Sequence, residues 1–340
     1  MVGLGFMGAT HVTAYQAAAT AGVPCTLTAV CDQDPARRAG RLSTVPGNVP
    51  TGTDERAFDP AVTQAYESAD ALFADPNVDL VSICTPTPSH VPLATAALRA
   101  GKHVVVEKPV GLEPGPIAEL ARVAKEARRL CMPAMCMRFW PQWAWLKEQV
   151  DAQAFGPLLG LSLTRMSAVP HWAPAFFLDG SKSGGALIDL HLHDADYLYH
   201  LFGMPTEVTS AGFPGPSKRV DRIMTVYRYA SATAPRLVTA ESSWEATGFA
   251  FRMRFVATFR DATVDFDISR PEPMVVCRDG NATPVTVAAL TGYDLELRAA
   301  LRAVASGDHA GLPTLEDAAA VTRVLLAEER SALEGRPVAL

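Results

Sequence analysis

Gly3-Leu4-Gly5-Phe6-Met7-Gly8 is the stretch from which the fold of this chain can be read. A GxGxxG by itself is also an ordinary glycine-rich turn, so its surroundings decide. Residues 9–21 read as a helix, and Cys25-Thr26-Leu27-Thr28-Ala29-Val30-Cys31 reads as a β-strand ending at Asp32. Loop, helix, strand and acid follow in order, with the acid 24 residues past Gly8. Glycines let the backbone approach a pyrophosphate at a helix N-terminus, and the acid suits a ribose 2′-hydroxyl. One feature departs from that pattern. Only Met1 and Val2 stand before Gly3, where a central parallel strand of about five residues is expected. The expectation is that the start lies upstream, or that a shortened first strand weakens dinucleotide binding.

Working outward, Val78-Asp79-Leu80-Val81-Ser82-Ile83-Cys84 is a nearly continuous apolar strand suited to the middle of a parallel sheet. It stops in Thr85-Pro86-Thr87-Pro88-Ser89-His90, whose prolines cannot continue a ladder. Residues 91–100 read as a helix capped by Gly101, and His103-Val104-Val105-Val106 is the next strand, running into Glu107-Lys108-Pro109. A charged helix over 114–130 and a strand over 131–137 follow. Strands alternating with helices imply a doubly wound parallel sheet, with ligands at the carboxyl ends of the strands, where Asp32, Thr85 and Lys108 fall.

Past Arg138 the pattern changes. Trp140, Trp143 and Trp145 crowd a short helical segment, and alternating strands occupy 158–166, 206–213, 223–229, 237–244, 251–259 and 262–268. Strands in succession without helices between them predict a mostly antiparallel sheet. Closing helices are expected over 292–306 and 314–333, the second with Thr314 as its N-cap and Glu316-Asp317 in its first turn. The expected fold class is α/β with two domains, 1–137 and 138–340.

Between the first two of those strands lies Gly184-Gly185-Ala186-Leu187-Ile188-Asp189-Leu190-His191-Leu192-His193-Asp194-Ala195-Asp196. Asp189, His193, Asp196 and His200 follow one another by four, three and four residues, which places them on one face of an α-helix. Asp189 and His193 are then neighbours one turn apart. A carboxylate beside an imidazole suits proton transfer, because it can fix the tautomer of a group titrating near neutrality. The competing reading is a solvated polar stripe. His191-Leu192-His193 would aim both rings the same way on a strand, but a helix sends them to opposite sides, so no metal is expected.

Bulk properties narrow the function classes. The chain has 340 residues, of which 49% are hydrophobic and 19% charged, an ordinary globular balance that can bury substantial cores. A net charge of −6 gives no basic footprint for nucleic acid or an anionic membrane. No apolar run approaches the ~20 residues of a membrane span, and no basic-then-apolar leader opens the sequence. The six cysteines show no paired CxxC spacing. Together these features point to a cytoplasmic protein with reduced thiols.

The ordered landmarks, Gly3-x-Gly5-x-x-Gly8, Glu107-Lys108-Pro109 and Gly184-Gly185 with Asp189-x-x-x-His193, resemble the Gfo/Idh/MocA family, named for glucose–fructose oxidoreductase and inositol dehydrogenase. The resemblance extends to Arg138-Phe139-Trp140-Pro141 and to Gly335-Arg336-Pro337-Val338. It implies a Rossmann domain followed by an α/β domain whose open sheet commonly mediates homo-oligomerisation, as a dimer or tetramer. It implies NAD(P)-dependent oxidation or reduction of sugars, cyclitols or related polyols, with NAD favoured by Asp32 and NADP left open by Arg37 and Arg38. Lys108, Asp189 and His193 carry over as catalytic residues. Dinucleotide contacts are expected from Gly3, Gly5, Phe6, Met7, Gly8, Asp32, Thr85, Pro86, Thr87, His90, Glu107 and Lys108, and substrate contacts from Arg138, Trp172, His191 and His193. Where relatives often have glycine two residues after the aspartate, this chain has His191, which is expected to line the substrate pocket. Two other classes stay open: glycoside cleavage through transient oxidation by tightly held NAD, and a non-catalytic NAD(P)-sensing regulator.

Overall fold

The computed structural model describes residues 1–42, 57–231, 234–245 and 248–340. In chain order the elements are α1 (Phe6–Thr20), β1 (Ala29–Cys31), α2 (Pro35–Arg38), β2 (Gln64–Tyr66), α3 (Ala69–Ala74), β3 (Leu80–Ile83), α4 (His90–Arg99), β4 (His103–Val106), α5 (Pro114–Ala127) and β5 (Cys131–Pro133). There follow α6 (Pro141–Asp151), β6 (Leu158–Ala168), α7 (Pro174–Phe177), α8 (Gly180–Ser183), a π-helical turn over Leu187–His191, α9 (Leu192–Phe202), β7 (Glu207–Pro214), β8 (Val220–Arg228) and β9 (Leu237–Glu245). The chain closes with β10 (Arg252–Phe259), β11 (Thr263–Asp267), β12 (Met274–Arg278), β13 (Asn281–Pro284), α10 (Gly292–Ser306), α11 (Leu315–Glu334) and β14 (Val338–Ala339). Among the described residues no helix is long and apolar enough to cross a membrane.

Two compact units divide the chain: residues 1–136 with 291–319, and residues 137–290 with 320–340. In the first, β1 pairs with β2 and β3-β4-β5 form a second ladder, every pairing parallel. Val2 bridges Cys31 on one side and Ile83 on the other, so the run is β2, β1, Val2, β3, β4, β5. The expected central strand is therefore one bridging residue, seated by Val2 N donating to Ser82 O and Cys84 N donating to Val2 O, both at 2.8 Å. The strand expected over 25–31 pairs only over Ala29–Cys31, and β2 escaped the reading because Gln64-Ala65-Tyr66 has no apolar run and is largely exposed. Segment 291–319, which the sequence reading gave to the second domain, packs in the first unit. Leu297, Ala300 and Ala303 of α10 join Ala14, Val105 and Met132 in one buried cluster. A capping box between Thr291 and Asp294 starts that helix.

The second unit is built on a nine-stranded sheet in the order β13-β12-β11-β10-β6-β9-β8-β7-β14. All its pairings are antiparallel except β6 with β9, as the helix-free succession of strands predicts. Alternation fixes which face is covered: Met253, Phe255, Ala257 and Phe259 point inward while Arg252, Arg254 and Thr258 stay outside. Trp143 of α6 fills the inner face, meeting Phe255 edge-on at 5.0 Å and Phe266 at 4.7 Å between ring centroids. Each such fully buried side chain contributes about 1.5–3 kcal/mol relative to exposure. The α/β class, with a parallel sheet followed by a mostly antiparallel one, is the class expected from sequence.

Candidate functional site

In the first unit the glycine loop is held by close backbone contacts. Gly3 has φ +84°, and a Cβ there would lie 2.7 Å from Cys84 O; a Cβ on Gly8 would lie 2.0 Å from Gly3 O. Any side chain at either position would push the loop off the helix. Gly5, by contrast, faces open space. It is the N-cap of α1, and the first i−4 bond runs from Ala9 N to Gly5 O at 2.9 Å. The amides of Phe6, Met7 and Gly8 precede that bond at the positive end of the helix, and no acidic side chain occupies the first turn. Asp32 stands beside the loop. Its Oδ2 accepts from Leu4 N at 2.6 Å and its Oδ1 from Asp34 N at 2.8 Å, with Arg37 Nη1 at 3.9 Å from Oδ2. A glycine cradle open on one side, a helix start and an adjacent acid fit a dinucleotide.

The ends of β3 and β4 complete this half. Thr85 is partly open and Pro86 exposed, while Thr87 is buried. His90 is 1% exposed, with Nε2 2.6 Å from Thr85 O and Nδ1 2.8 Å from Pro109 O. Burial lowers its pKa, while the two carbonyls act in the opposite direction. It braces the loop after β3 against the loop after β4. Glu107 is held in a similar way. Its carboxylate is buried, with Oε1 3.0 Å from His11 Nε2 and Oε2 accepting from Lys108 N at 3.1 Å. Lys108 is the one partly open residue between Val104 and Val110. His11 was missed by sequence reasoning, although a histidine three residues past Gly8, on the buried side of a helix, needs a polar partner.

In the second unit, the stretch after Gly184-Gly185 starts as a π turn rather than the expected regular helix. Asp221 secures its entry, accepting from Ala186 N at 2.9 Å, Ser217 N at 2.7 Å and Ser217 Oγ at 2.7 Å. Two buried ion pairs then clamp α9. Arg165 of β6 contacts Asp194 at 2.8 and 3.1 Å, and Arg138 contacts Asp196 at 2.6 Å. Tyr197 adds a bond to Trp143 O at 2.7 Å. From Ser183 to Leu198 only Asp189 and His193 are not buried. The polar stripe is therefore not a solvated face, and Asp196 is an anchor rather than one of its open members.

Three expected substrate contacts are placed as follows. Arg138, whose side chain is 6% exposed, is engaged by Asp196. His191 is fully buried, with Nδ1 2.8 Å from Ser242 Oγ and Nε2 3.0 Å from Tyr227 OH and 3.1 Å from Glu328 Oε2. Burial lowers its pKa, but the Glu328 carboxylate outweighs that and the net shift is upward. Expected on a pocket wall, it lies at the end of the π turn with its ring in the core. Trp172 is partly open and meets His171 and Phe177 edge-on at 5.6 and 5.7 Å.

Comparison with known proteins agrees with this layout. Residues 1–135 match a family model described as an oxidoreductase family with an NAD-binding Rossmann fold, and residues 143–264 match the GFO/IDH/MocA C-terminal domain. A scyllo-inositol 2-dehydrogenase (NAD(+)) of Bacillus subtilis is 33% identical over 187 residues, 55% of this chain and 49% of that protein. A myo-inositol 2-dehydrogenase of Thermotoga maritima is 31% identical over 146 residues, 43% of this chain and 42% of that protein. The chain thus spans about half the length of these curated relatives. A solved levoglucosan dehydrogenase, in complex with NADH and levoglucosan, superposes with a TM-score of 0.81 over 99% of this chain and 97% of that one, at 21% identity.

Proposed function

Starting from the fact that this chain belongs to the Gfo/Idh/MocA oxidoreductase family, we propose that it is an NAD-dependent dehydrogenase acting on a secondary hydroxyl of a sugar, cyclitol or related polyol. The observation that carries the reading is the exposure pattern: Lys108, Asp189 and His193 are the partly open polar residues in otherwise buried runs. The kinship with inositol dehydrogenases and the likeness to a levoglucosan dehydrogenase support the substrate class.

In this reading the glycine loop and the start of α1 hold the pyrophosphate, Asp32 takes the adenosine ribose, and a bound nicotinamide supplies the hydride acceptor. His193 accepts the hydroxyl proton as the carbinol C–H bond breaks. Lys108, as a cation, stabilises the developing alkoxide, and Asp189 orients the imidazole and balances its charge. The electron pair and hydrogen leave carbon together, the proton ends on His193, and the product is the ketone. Homo-oligomerisation belongs to the same proposal and is supported by apolar side chains on the outer face of the large sheet, among them Phe213, Met224 and Leu237 at 60, 49 and 53% exposure. A scan of inositols, pyranoses, anhydrosugars and linear polyols with NAD+ and NADP+, following the absorbance of reduced cofactor, tests the activity. Steady formation of NADH with one of them is expected; no turnover across the scan by a protein that binds NADH would refute it.

A further inference from the structure

His11 is fully buried on α1, two turns or less from the glycine loop. Its ring is nonetheless engaged on both sides. Nε2 lies 3.0 Å from Glu107 Oε1, and Nδ1 lies 3.5 Å from Cys84 Sγ. Burial, and then the Glu107 charge, push the Cys84 thiol well above its usual range, so the S–H is kept beside Nδ1. Facing a carboxylate oxygen, Nε2 is placed to donate to it. The other carboxylate oxygen accepts the backbone N–H of Lys108 at 3.1 Å. One imidazole therefore joins three segments: the helix under the glycine loop, the end of β3 at Cys84, and the end of β4 at Lys108.

We propose that His11 is a positioning residue that couples the helix carrying the glycine loop to Lys108, through the buried Glu107 carboxylate. A buried carboxylate is costly unless every oxygen is bonded, and apolar packing would fill the same space at no such cost. Here both oxygens are used, one on the helix that begins at the dinucleotide cradle and one on the amide of the open lysine. Settling of the helix start on a ligand is thereby transmitted to the backbone that aims the Lys108 ammonium. What Lys108 does rests on the dehydrogenase reading; that His11 holds it rests on the contacts alone.

The test combines amide exchange with a double-mutant cycle on the full-length protein. His11→Leu removes the donor, whereas His11→Gln places an amide N–H where Nε2–H was. With NADH bound, His11→Leu is expected to speed hydrogen exchange in the peptide containing Lys108 by roughly 10-fold, with His11→Gln near the parent. With NAD+ and the best substrate of the scan, His11→Leu lowers kcat roughly 10- to 100-fold and changes KM for NAD+ by less than about 3-fold; in a Lys108→Ala background the same change costs less than about 2-fold. Equal losses in both backgrounds, or unchanged exchange at Lys108, would overturn the proposal. If the parent oxidises nothing, the dehydrogenase reading fails alone and the exchange comparison still decides this one. If His11→Leu does not fold, His11→Asn, whose amide is too short to reach Glu107, replaces it with the same expectations.

Discussion

Asp32 and His191 show the two fates of a polar residue picked from sequence. Asp32 ends an apolar strand directly beside the loop, a purely local relation, and its carboxylate ties down Leu4 N and Asp34 N. Asp32→Ala is expected to shift the ratio of NADH to NADPH affinity toward NADPH by about 10-fold or more, since a carboxylate favours a 2′-hydroxyl and repels a 2′-phosphate while Arg37 stays in place. An unchanged ratio in fluorescence titrations would contradict the assignment. His191, by contrast, was assigned to a pocket and lies in the core, because its partners Tyr227, Ser242 and Glu328 are 36, 51 and 137 residues away. Pairings of that range leave no trace in a single sequence, and the same holds for His11 with Glu107 and Arg138 with Asp196. His191 also gives a pH signature. Its folded pKa is raised above 6.5, with Glu328, Asp194, Arg165 and Tyr227 around it. Its contribution to stability is full below pH ~6.5 and declines as pH rises through the raised folded value, with a slope of at most 1.4 kcal/mol per pH unit, roughly, for one proton. Urea unfolding from pH 6 to 9, the range of roughly neutral titration, is expected to show that decline in the parent and its absence in His191→Gln. Parallel curves would refute it.

At the level of elements, most helices and strands were legible because their periodicity follows from burial on one side. The antiparallel strands alternate as read, and α1, α4 and α5 begin and end near the predicted positions. Short elements with no such pattern were not legible: β2, β12 and β13 are exposed or half-exposed, and the π turn has no periodic signature. The element that matters most for function is α9, whose position depends on charges rather than on apolar packing alone. Arg165 and Asp194, with side chains 3 and 1% exposed, form a buried pair beside His193. Removing one partner leaves an uncompensated buried charge, so Asp194→Ala is expected to cost about 3–5 kcal/mol in urea unfolding. Arg165→Met with Asp194→Leu is expected to regain most of that loss, because an apolar pair of similar volume avoids the desolvation penalty. A loss below about 1 kcal/mol for Asp194→Ala would show that the pair does not anchor the helix.

On the scale of the whole molecule, the α/β class and the change of architecture near residue 137 were readable, since βα alternation gives way to successive strands. What was not readable is that the chain returns: residues 291–319 complete the core of the first unit, with Leu297 and Ala300 fully buried beside Val105 and Met132. An amphipathic helix shows that it covers something but not which surface it covers. The two units supply different parts of the proposed chemistry, Lys108 from the first and Asp189 with His193 from the second. The claim at the centre of this account is that they serve one reaction, and single-turnover kinetics on the oxidised substrate tests it most directly. His193→Ala and Lys108→Ala are each expected to slow hydride transfer by roughly 10²–10⁴ while NADH affinity stays near the parent value. Lys108→Arg gives no rescue, because a planar guanidinium does not replace a compact ammonium, and His200→Ala, on the same helix, stays near the parent. A His193→Ala protein that transfers hydride at a near-parental rate would contradict the mechanism and leave only the fold.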